Sequence, residues 1–250
     1  MNDFLESIVA RTRARVKNLA PACPQRAAQP FAFSNALAQK KTAIIAEIKS
    51  ASPSAGSIIE NPDVDAIARE YAQGGASAIS IVTEPDFFHG SHDWLARAAR
   101  ASGLPVLMKD FIIDQRQLLC GISAGANAIL LLASLLDSER IREAIEILDD
   151  FGCDGLVEVH DGRELERAID GGARIIGVNN RNLRDFDVNL RTAERLAGRI
   201  PTGVIKVAES GIKTREDVER LRNAGFTAFL VGESLLRQND RAAAVRALLA

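Results

Sequence analysis

The stretch "AGANAILLL" at residues 124–132 decides the fold of this chain, because its pattern recurs along the sequence. "GGASAISI" (74–81), "GGARIIGV" (171–178) and "AGFTAFLV" (224–231) repeat its order of glycine, small residues and an apolar run, at intervals of about 50 residues. We expect each glycine to end a helix in the left-handed conformation, and the small residues to let helix and strand approach closely. The copies therefore indicate a repeated helix–strand unit.

Working outward from these copies, short β-rich runs alternate with segments of helical periodicity. Strands that alternate with helices build a parallel sheet. Eight such units without a linker between them favour a closed barrel over an open doubly wound sheet. We therefore predict the α/β class, as a (β/α)8 TIM barrel with an extra N-terminal helix. The predicted strands are 43–48, 76–82, 105–109, 127–132, 155–159, 174–179, 203–209 and 227–232.

The N-terminal part of the chain is predicted to be a helical extension. Phe4, Leu5, Ile8 and Val9 follow a helical period, which is typical of an amphipathic helix docked on the main domain. The Pro/Ala-rich stretch 20–30 ends that helix and forms a connector. We predict two parts, with the helical extension and connector at 1–41 and the barrel catalytic domain at 42–250.

Composition and charge exclude several classes of partner. The chain has 250 residues, 47% of them hydrophobic, and a net charge of -2, so no basic surplus points to nucleic acid. The longest apolar run, at 128–136, is far shorter than the roughly 20 residues that a membrane span needs. A small anionic ligand remains compatible with this balance, because a pocket sets its own local potential.

Cysteine and histidine usage predicts neither disulfides nor a metal site. The cysteines are odd in number and widely spaced, which favours a reducing compartment and hence a cytoplasmic location. His89 and His92 lie close together in one loop and His160 lies elsewhere, so the sequence indicates no third ligand for a metal ion. The cysteines are Cys23, Cys120 and Cys153.

Polar residues stand at the ends of the predicted strands, where a barrel of this kind carries its chemistry. A single charged residue there would ordinarily be a solvated side chain at the end of a strand. Five charges that converge on one barrel mouth cost free energy unless they bind and transform something. These charged residues are Glu47, Lys49, Lys109, Glu158 and Glu209.

Two glycine-bearing turns after the seventh and eighth strands predict a phosphate site. Gly211 precedes a helix expected near Thr214, and Gly232 precedes a short helical turn. Glycine lets backbone N–H groups approach an anion, and helix N-termini favour negative charge. Ser52 and Ser54, in the loop after the first strand, are further candidate donors.

The chain resembles the indole-3-glycerol phosphate synthase family of tryptophan biosynthesis. The resemblance is carried by motifs that lie in the family's order and spacing. It implies ring closure of 1-(2-carboxyphenylamino)-1-deoxyribulose 5-phosphate with loss of CO2 and water, without a metal or organic cofactor. The motifs are "IIAEIKSASPSAG" (44–56), "TEPDFFHGS" (83–91), "LPVLMKDFIID" (104–114), "GLVEVH" (155–160), "IIGVNNRNL" (175–183), "VAESGI" (207–212) and "AFLVGESLLR" (228–237).

The resemblance also implies site residues and partners. It implies a small anionic phosphate substrate, association with other enzymes of the tryptophan pathway, and a monomer or homodimer. The implied catalytic set is Glu47, Lys49, Lys109, Glu158, Asn179, Glu209 and Ser210. The implied substrate- and phosphate-binding set is Ser52, Phe88, Phe111, Arg181, Gly211, Gly232 and Glu233.

The chemistry required by this reaction fits these residues. Lys109 is the candidate acid for ring closure, and Glu158 its candidate partner. Lys49 either grips an anionic group of the substrate or supplies the proton for dehydration, with Glu47 as base. The rival hypotheses are an isomerase barrel that uses the same glycine turns, such as a phosphoribosylanthranilate or sugar-phosphate isomerase, and a catalytically silent barrel kept as a binding module.

Overall fold

The computed structural model of the chain describes residues 3–52, 56–182 and 186–250. In this part of the chain, eight parallel strands form a closed barrel, in which each strand pairs with the next and the last pairs with the first. The predicted barrel is confirmed, and each strand begins and ends within two residues of its predicted position. The strands are β1 Ala43–Ile48, β2 Ala78–Val82, β3 Val106–Lys109, β4 Ala128–Leu132, β5 Asp154–Val159, β6 Ile175–Asn179, β7 Ile205–Glu209 and β8 Ala228–Val231.

Helices follow every strand and cover the outside of the barrel. In the described ranges, two helices precede the barrel, one helix follows each of the first seven strands, and a short helix and a longer one follow β8. None of the helices in these ranges is long and apolar enough to cross a membrane. The helices are α1 Asp3–Lys17, α2 Ala32–Ala38, α3 Val64–Gly74, α4 Asp93–Ser102, α5 Gln115–Ser123, α6 Ser138–Asp150, α7 Gly162–Asp170, α8 Arg191–Ala197, α9 Arg215–Asn223, α10 Glu233–Leu236 and α11 Arg241–Leu249.

The four repeated glycines adopt the conformation that the sequence pattern predicts. Gly75, Gly125, Gly172 and Gly225 have φ angles between 80° and 100°, each just after a helix and just before a strand. Only a residue without a Cβ adopts this conformation at little cost, so the glycines fix the turns that return the chain to the barrel.

The strand alternation divides the core into two layers. Ile44 and Ile48 of β1 face the surrounding helices, whereas Ala43 and Ile45 face the barrel interior with residues of the other strands. Because side chains alternate along a strand, Glu47 follows Ile45 on the inward side. The apolar layers of the barrel interior are therefore followed by polar residues at the C-terminal ends of the strands.

Helix α2 closes the N-terminal end of the barrel and is not among the predicted helices. Phe33 and Leu37 are fully buried in the interior cluster, and the backbone N–H of Ser34 donates to the carboxylate of Asp154 at the start of β5, at 2.9 Å. Burial raises the pKa of that carboxyl group. Seven residues are too few for a clear helical period. The division at residues 41 and 42 stays a prediction.

We expect Phe33→Ala to lower the free energy of unfolding by about 3–5 kcal/mol, because it removes a fully buried ring from the barrel interior. Urea unfolding of the two proteins measures this loss. Gln39→Ala, at an exposed position just after α2, is the matched control and should change stability by less than about 0.5 kcal/mol. Equal losses in the two variants would show that the α2 contact contributes nothing to stability.

Candidate active site

The C-terminal ends of the strands surround a cavity of about 1010 Å³. It brings together nearly all of the predicted site residues that the structure describes. Glu209 is the exception, because it lies behind Lys109 and does not line the cavity. Ser54 lies outside the described residues. The predicted residues that line the cavity are Glu47, Lys49, Ser52, Phe88, Lys109, Phe111, Glu158, Asn179, Arg181, Ser210, Gly211, Gly232 and Glu233.

The ammonium group of Lys109, the last residue of β3, lies among three carboxylates. Its Nζ is 2.8 Å from Oε2 of Glu209, 3.5 Å from Oε2 of Glu158 and 3.8 Å from Oε2 of Glu47. These glutamates stand on β7, β5 and β1. Burial alone would lower the pKa of Lys109, but the three negative charges outweigh it and raise the pKa above its usual value. Lys109 is therefore cationic.

A second ion pair adjoins the first. Lys49, just beyond β1, places Nζ at 2.7 Å from Oε1 of Glu47. Burial would raise the pKa of Glu47, yet Lys49 and Lys109 together hold it below its usual value. Glu47 thus bridges the two lysines as a carboxylate.

Among the three carboxylates around Lys109, Glu158 has the most cationic and donor neighbours. The side-chain amide of Asn179 donates to its Oε1 at 3.0 Å, and Nε2 of His160 lies 3.3 Å from the same atom. Asn179 Oδ1 in turn accepts from the backbone N–H of Arg181 at 2.9 Å, which fixes the orientation of the amide. Burial opposes ionisation, but Lys109, His160 and Asn179 together lower the pKa of Glu158 well below its usual range.

The pKa of Glu209 is shifted in the opposite direction. Its side chain is fully buried, and in the part of the chain that the structure describes its Oε1 has no hydrogen-bond partner. Burial is the largest influence and raises the pKa of Glu209 to about 8, although Lys109 partly opposes it. Glu209 therefore takes up a proton more readily than Glu158 does.

Two glycines make room for these acids. A Cβ at Gly177 of β6 would overlap Oε1 of Glu209, and a Cβ at Gly232 would overlap Oε1 of Glu47. Gly177 is not among the predicted site residues, although an isolated glycine inside a strand pattern is a signal of close approach. Gly232 was assigned to the phosphate site alone, and the structure adds its contact with Glu47.

The loops after β7 and β8 have the form expected of an anion site. Ser210 and Gly211 both have left-handed φ angles, of 64° and 82°, and Thr214 caps the N-terminus of α9. Gly232 stands immediately before α10. Ser234 Oγ donates to the carbonyl of Ile212 at 3.0 Å, so the two loops are joined.

Comparison with known proteins identifies the family. The family model of indole-3-glycerol phosphate synthase matches residues 5–248. The chain belongs to the indole-3-glycerol phosphate synthase family. Relatives of this name include those of Ruminiclostridium cellulolyticum, 42% identical over 96% of both chains, and Koribacter versatilis, 43% identical over 100% of this chain and 96% of the relative. The predicted enzyme class, a carboxy-lyase of tryptophan biosynthesis acting on a phosphorylated small molecule, is confirmed by this membership.

Solved structures of other enzymes share the fold of this synthase-family chain. Thiamine phosphate pyrophosphorylase from Pyrococcus furiosus superposes with a TM-score of 0.62 at 17% identity, over 85% of this chain and 96% of that chain. 3-Hexulose-6-phosphate synthase gives a TM-score of 0.62 at 15% identity, over 83% and 98% of the two chains. At these identities, the likeness extends to the barrel and not to the chemistry.

The aromatic residues predicted to contact the substrate lie together in the synthase-family cavity. The rings of Phe88 and Phe111 are 6.1 Å apart. Glu84, which the sequence analysis assigned no role, is fully buried and accepts hydrogen bonds from the backbone N–H groups of residues 86–88. Its carboxylate therefore holds the loop that carries Phe88.

Helix α1 lies against this loop, as a docked helix should. Arg15 donates to Glu84 at 2.6 Å and to Asp86 at 3.0 Å. Phe4 packs edge-on against Phe87 and also lines the cavity. The helical period predicted the docking, but it gave no signal of which loop α1 would contact.

The histidines differ in their surroundings. Among residues 3–52, 56–182 and 186–250, no group of three His, Cys, Asp or Glu side chains is arranged to hold a metal ion. His89 is exposed, whereas the side chain of His160 is only 14% exposed and lies between Glu158 and Glu164.

We expect Gly177→Ala to lower the free energy of unfolding by about 1–3 kcal/mol, because the added methyl group displaces the buried carboxyl of Glu209. Urea unfolding measures this change. Gly198→Ala is the matched control, since a Cβ there meets no described atom within 4 Å.

A double-mutant cycle isolates the cause of this loss. In a Glu209→Ala background the displaced carboxyl is absent, so Gly177→Ala should cost clearly less than in the unaltered chain. Equal costs in both backgrounds would contradict the steric role of Gly177.

Proposed function

We propose that this chain closes the indole ring of 1-(2-carboxyphenylamino)-1-deoxyribulose 5-phosphate, giving indole-3-glycerol phosphate, CO2 and water. The observation that carries the proposal is the Lys109 ammonium, held within 4 Å of the carboxylates of Glu209, Glu158 and Glu47 beside a cavity. The reaction needs positioned acids and bases, and this cluster supplies both without a metal ion or an organic cofactor.

We place the substrate's phosphate at the loops after β7 and β8. Backbone N–H groups at Gly211, Gly232 and Glu233 are the proposed donors, beside the N-termini of α9 and α10. Ser52 lines the same cavity and adds a hydroxyl group. We place the anthranilate ring against Phe88 and Phe111, which line the cavity with their ring centroids 6.1 Å apart. Arg181 lines the cavity and is a further substrate contact.

Ring closure is assigned to Lys109. The ring carbon that bears the carboxylate attacks the keto carbon and forms the new C–C bond, while the carbonyl oxygen takes a proton from Lys109 and becomes a hydroxyl group. The oxygen becomes far more basic as the bond forms, so an ammonium with a raised pKa still protonates it. Positive charge develops at the anilino nitrogen, where the carboxylate of Glu158 stabilises it.

Decarboxylation and dehydration complete the reaction. The C–CO2 bond breaks and its electron pair returns to the ring, which restores aromaticity. The hydroxyl group then leaves as water with a proton from an ammonium group, and a base removes the last proton from the adjacent carbon. We assign these two roles to Lys49 and Glu47, which lie 2.7 Å apart. Asn179, Glu209 and Ser210 hold the substrate and Lys109 in place.

The location, oligomeric state and partners that we expect follow from the family. We expect a cytoplasmic enzyme, monomeric or homodimeric, that associates with other enzymes of the tryptophan pathway and binds neither nucleic acid nor membrane. The mixed charge of the chain, -2 overall, supports the absence of a nucleic-acid partner.

The purified chain should convert the carboxyphenylamino-ribulose phosphate to an indole product without added metal, and indole fluorescence follows this conversion. Lys109→Ala should lower kcat by about 10²–10⁴-fold, because it removes the acid of the first step. The fold should persist, since a buried carboxyl group that loses its partner takes up a proton.

Lys41→Ala is the matched control, at an exposed lysine just before β1, and should turn over normally. Near-normal turnover in Lys109→Ala would remove this residue from its role. An unaltered chain that forms no indole would overturn the proposed reaction itself.

A further inference from the structure

His160 is a largely buried titratable residue to which the reaction above assigns no step. It follows β5 directly, and its side chain lies between two glutamates. Nδ1 is 3.0 Å from Oε2 of Glu164, in the first turn of α7, and Nε2 is 3.3 Å from Oε1 of Glu158. The backbone N–H of His160 also donates to Glu164 Oε2 at 2.8 Å, which fixes that carboxylate in place.

The geometry around the ring decides its protonation. Both ring nitrogens face a carboxylate oxygen, and a neutral imidazole has a proton on only one of them. The other nitrogen would then hold a lone pair close to an anion. The ring is therefore an imidazolium, or else Glu158 holds the proton instead. At Nε2 the contact with Glu158 is an ion pair and not an aligned hydrogen bond, so its contribution is the charge itself.

Glu158 needs a second cation. Lys109 is shared among three carboxylates and is closest to Glu209, at 2.8 Å against 3.5 Å for Glu158. Glu47 adds negative charge from β1, and burial also disfavours the ionised form of Glu158. The imidazolium is the second cation that faces this carboxylate, and it contacts Oε1 whereas Lys109 contacts Oε2.

We propose that His160, held as an imidazolium by Glu164, is a positioning residue that keeps Glu158 ionised and in place for the reaction. The proposal rests on the proposed function, since Glu158 is the group through which His160 acts. Burial would lower the pKa of His160, but the two glutamates raise it to about 10, so the charge persists at neutral pH. His160 does not line the cavity, and its effect on the substrate is indirect.

The first test reads the ring directly and needs no activity. The intact protein is labelled with ¹⁵N-histidine, and His160→Gln identifies the signals of His160. At pH 8 both ring nitrogens should carry protons, and in Glu164→Gln the His160 signals should titrate at lower pH than in the unaltered chain. A neutral ring at pH 8 in the unaltered chain would overturn the proposal, whether or not the chain makes indole product.

The second test separates positioning from binding. His160→Gln keeps a polar side chain but removes the charge, and it should lower kcat by about tenfold to a hundredfold with a small change in KM. Loss of the cation raises the pKa of Glu158, so the acid limb of kcat/KM against pH should move to higher pH. Glu164→Gln should produce a smaller change in the same direction, and it tests the proposal independently if His160→Gln folds poorly.

His89→Asn is the control, because it removes an exposed histidine from a position with a left-handed φ angle of 53°, which asparagine tolerates. It should leave kcat and the acid limb unchanged. An acid limb in His160→Gln that coincides with that of the unaltered chain would overturn the proposal while leaving the proposed reaction intact, because the unaltered chain would still form indole product.

Discussion

The attraction between the Lys109 ammonium and its three carboxylates is the interaction on which the rest of this structure depends. Partly buried charges persist only when each has partners close by, because the lost hydration is otherwise uncompensated. The contacts of 2.8, 3.5 and 3.8 Å come from β7, β5 and β1, strands far apart in sequence. Only a closed barrel with one fixed register holds these strand ends around a single lysine, and only glycine at 177 and 232 leaves space for the acids.

The same residue type has pKa values shifted in opposite directions at two strand ends. Glu158 has a lysine, a histidine and an amide around its carboxylate, and its pKa is lowered. Glu209 has Lys109 at one oxygen and no described hydrogen-bond partner at the other, and burial raises its pKa to about 8. Environments that move the pKa values of neighbouring acids apart are typical of acid–base catalysis. The different surroundings of Glu158 and Glu209 therefore suit these two residues to different roles in proton transfer.

The sequence predicted those features that local patterns encode. Gly125 and its repeats marked the strand starts, and Lys109 and Glu158 ended apolar runs at positions that a barrel brings together. The features it missed depend on distant contacts. Helix α2 is too short to show a period, and Phe33 is buried only because a barrel interior receives it. His160 was considered only as a metal ligand, because its glutamate partners are recognisable only once β5 and α7 are packed.

The position of α2 also has a consequence for the order of folding. Residues 32–38 leave the ribosome before any barrel strand, yet α2 contacts β1, β2, β5 and β7, and β7 ends at residue 209. Phe33 and Leu37 have no interior to enter until most of the barrel has been synthesised. Contacts between such distant parts of a chain form slowly, because the loop that joins them must first be closed. Helix α2 is thus made early but is among the last helices to dock, and its apolar side chains remain accessible to chaperones until then.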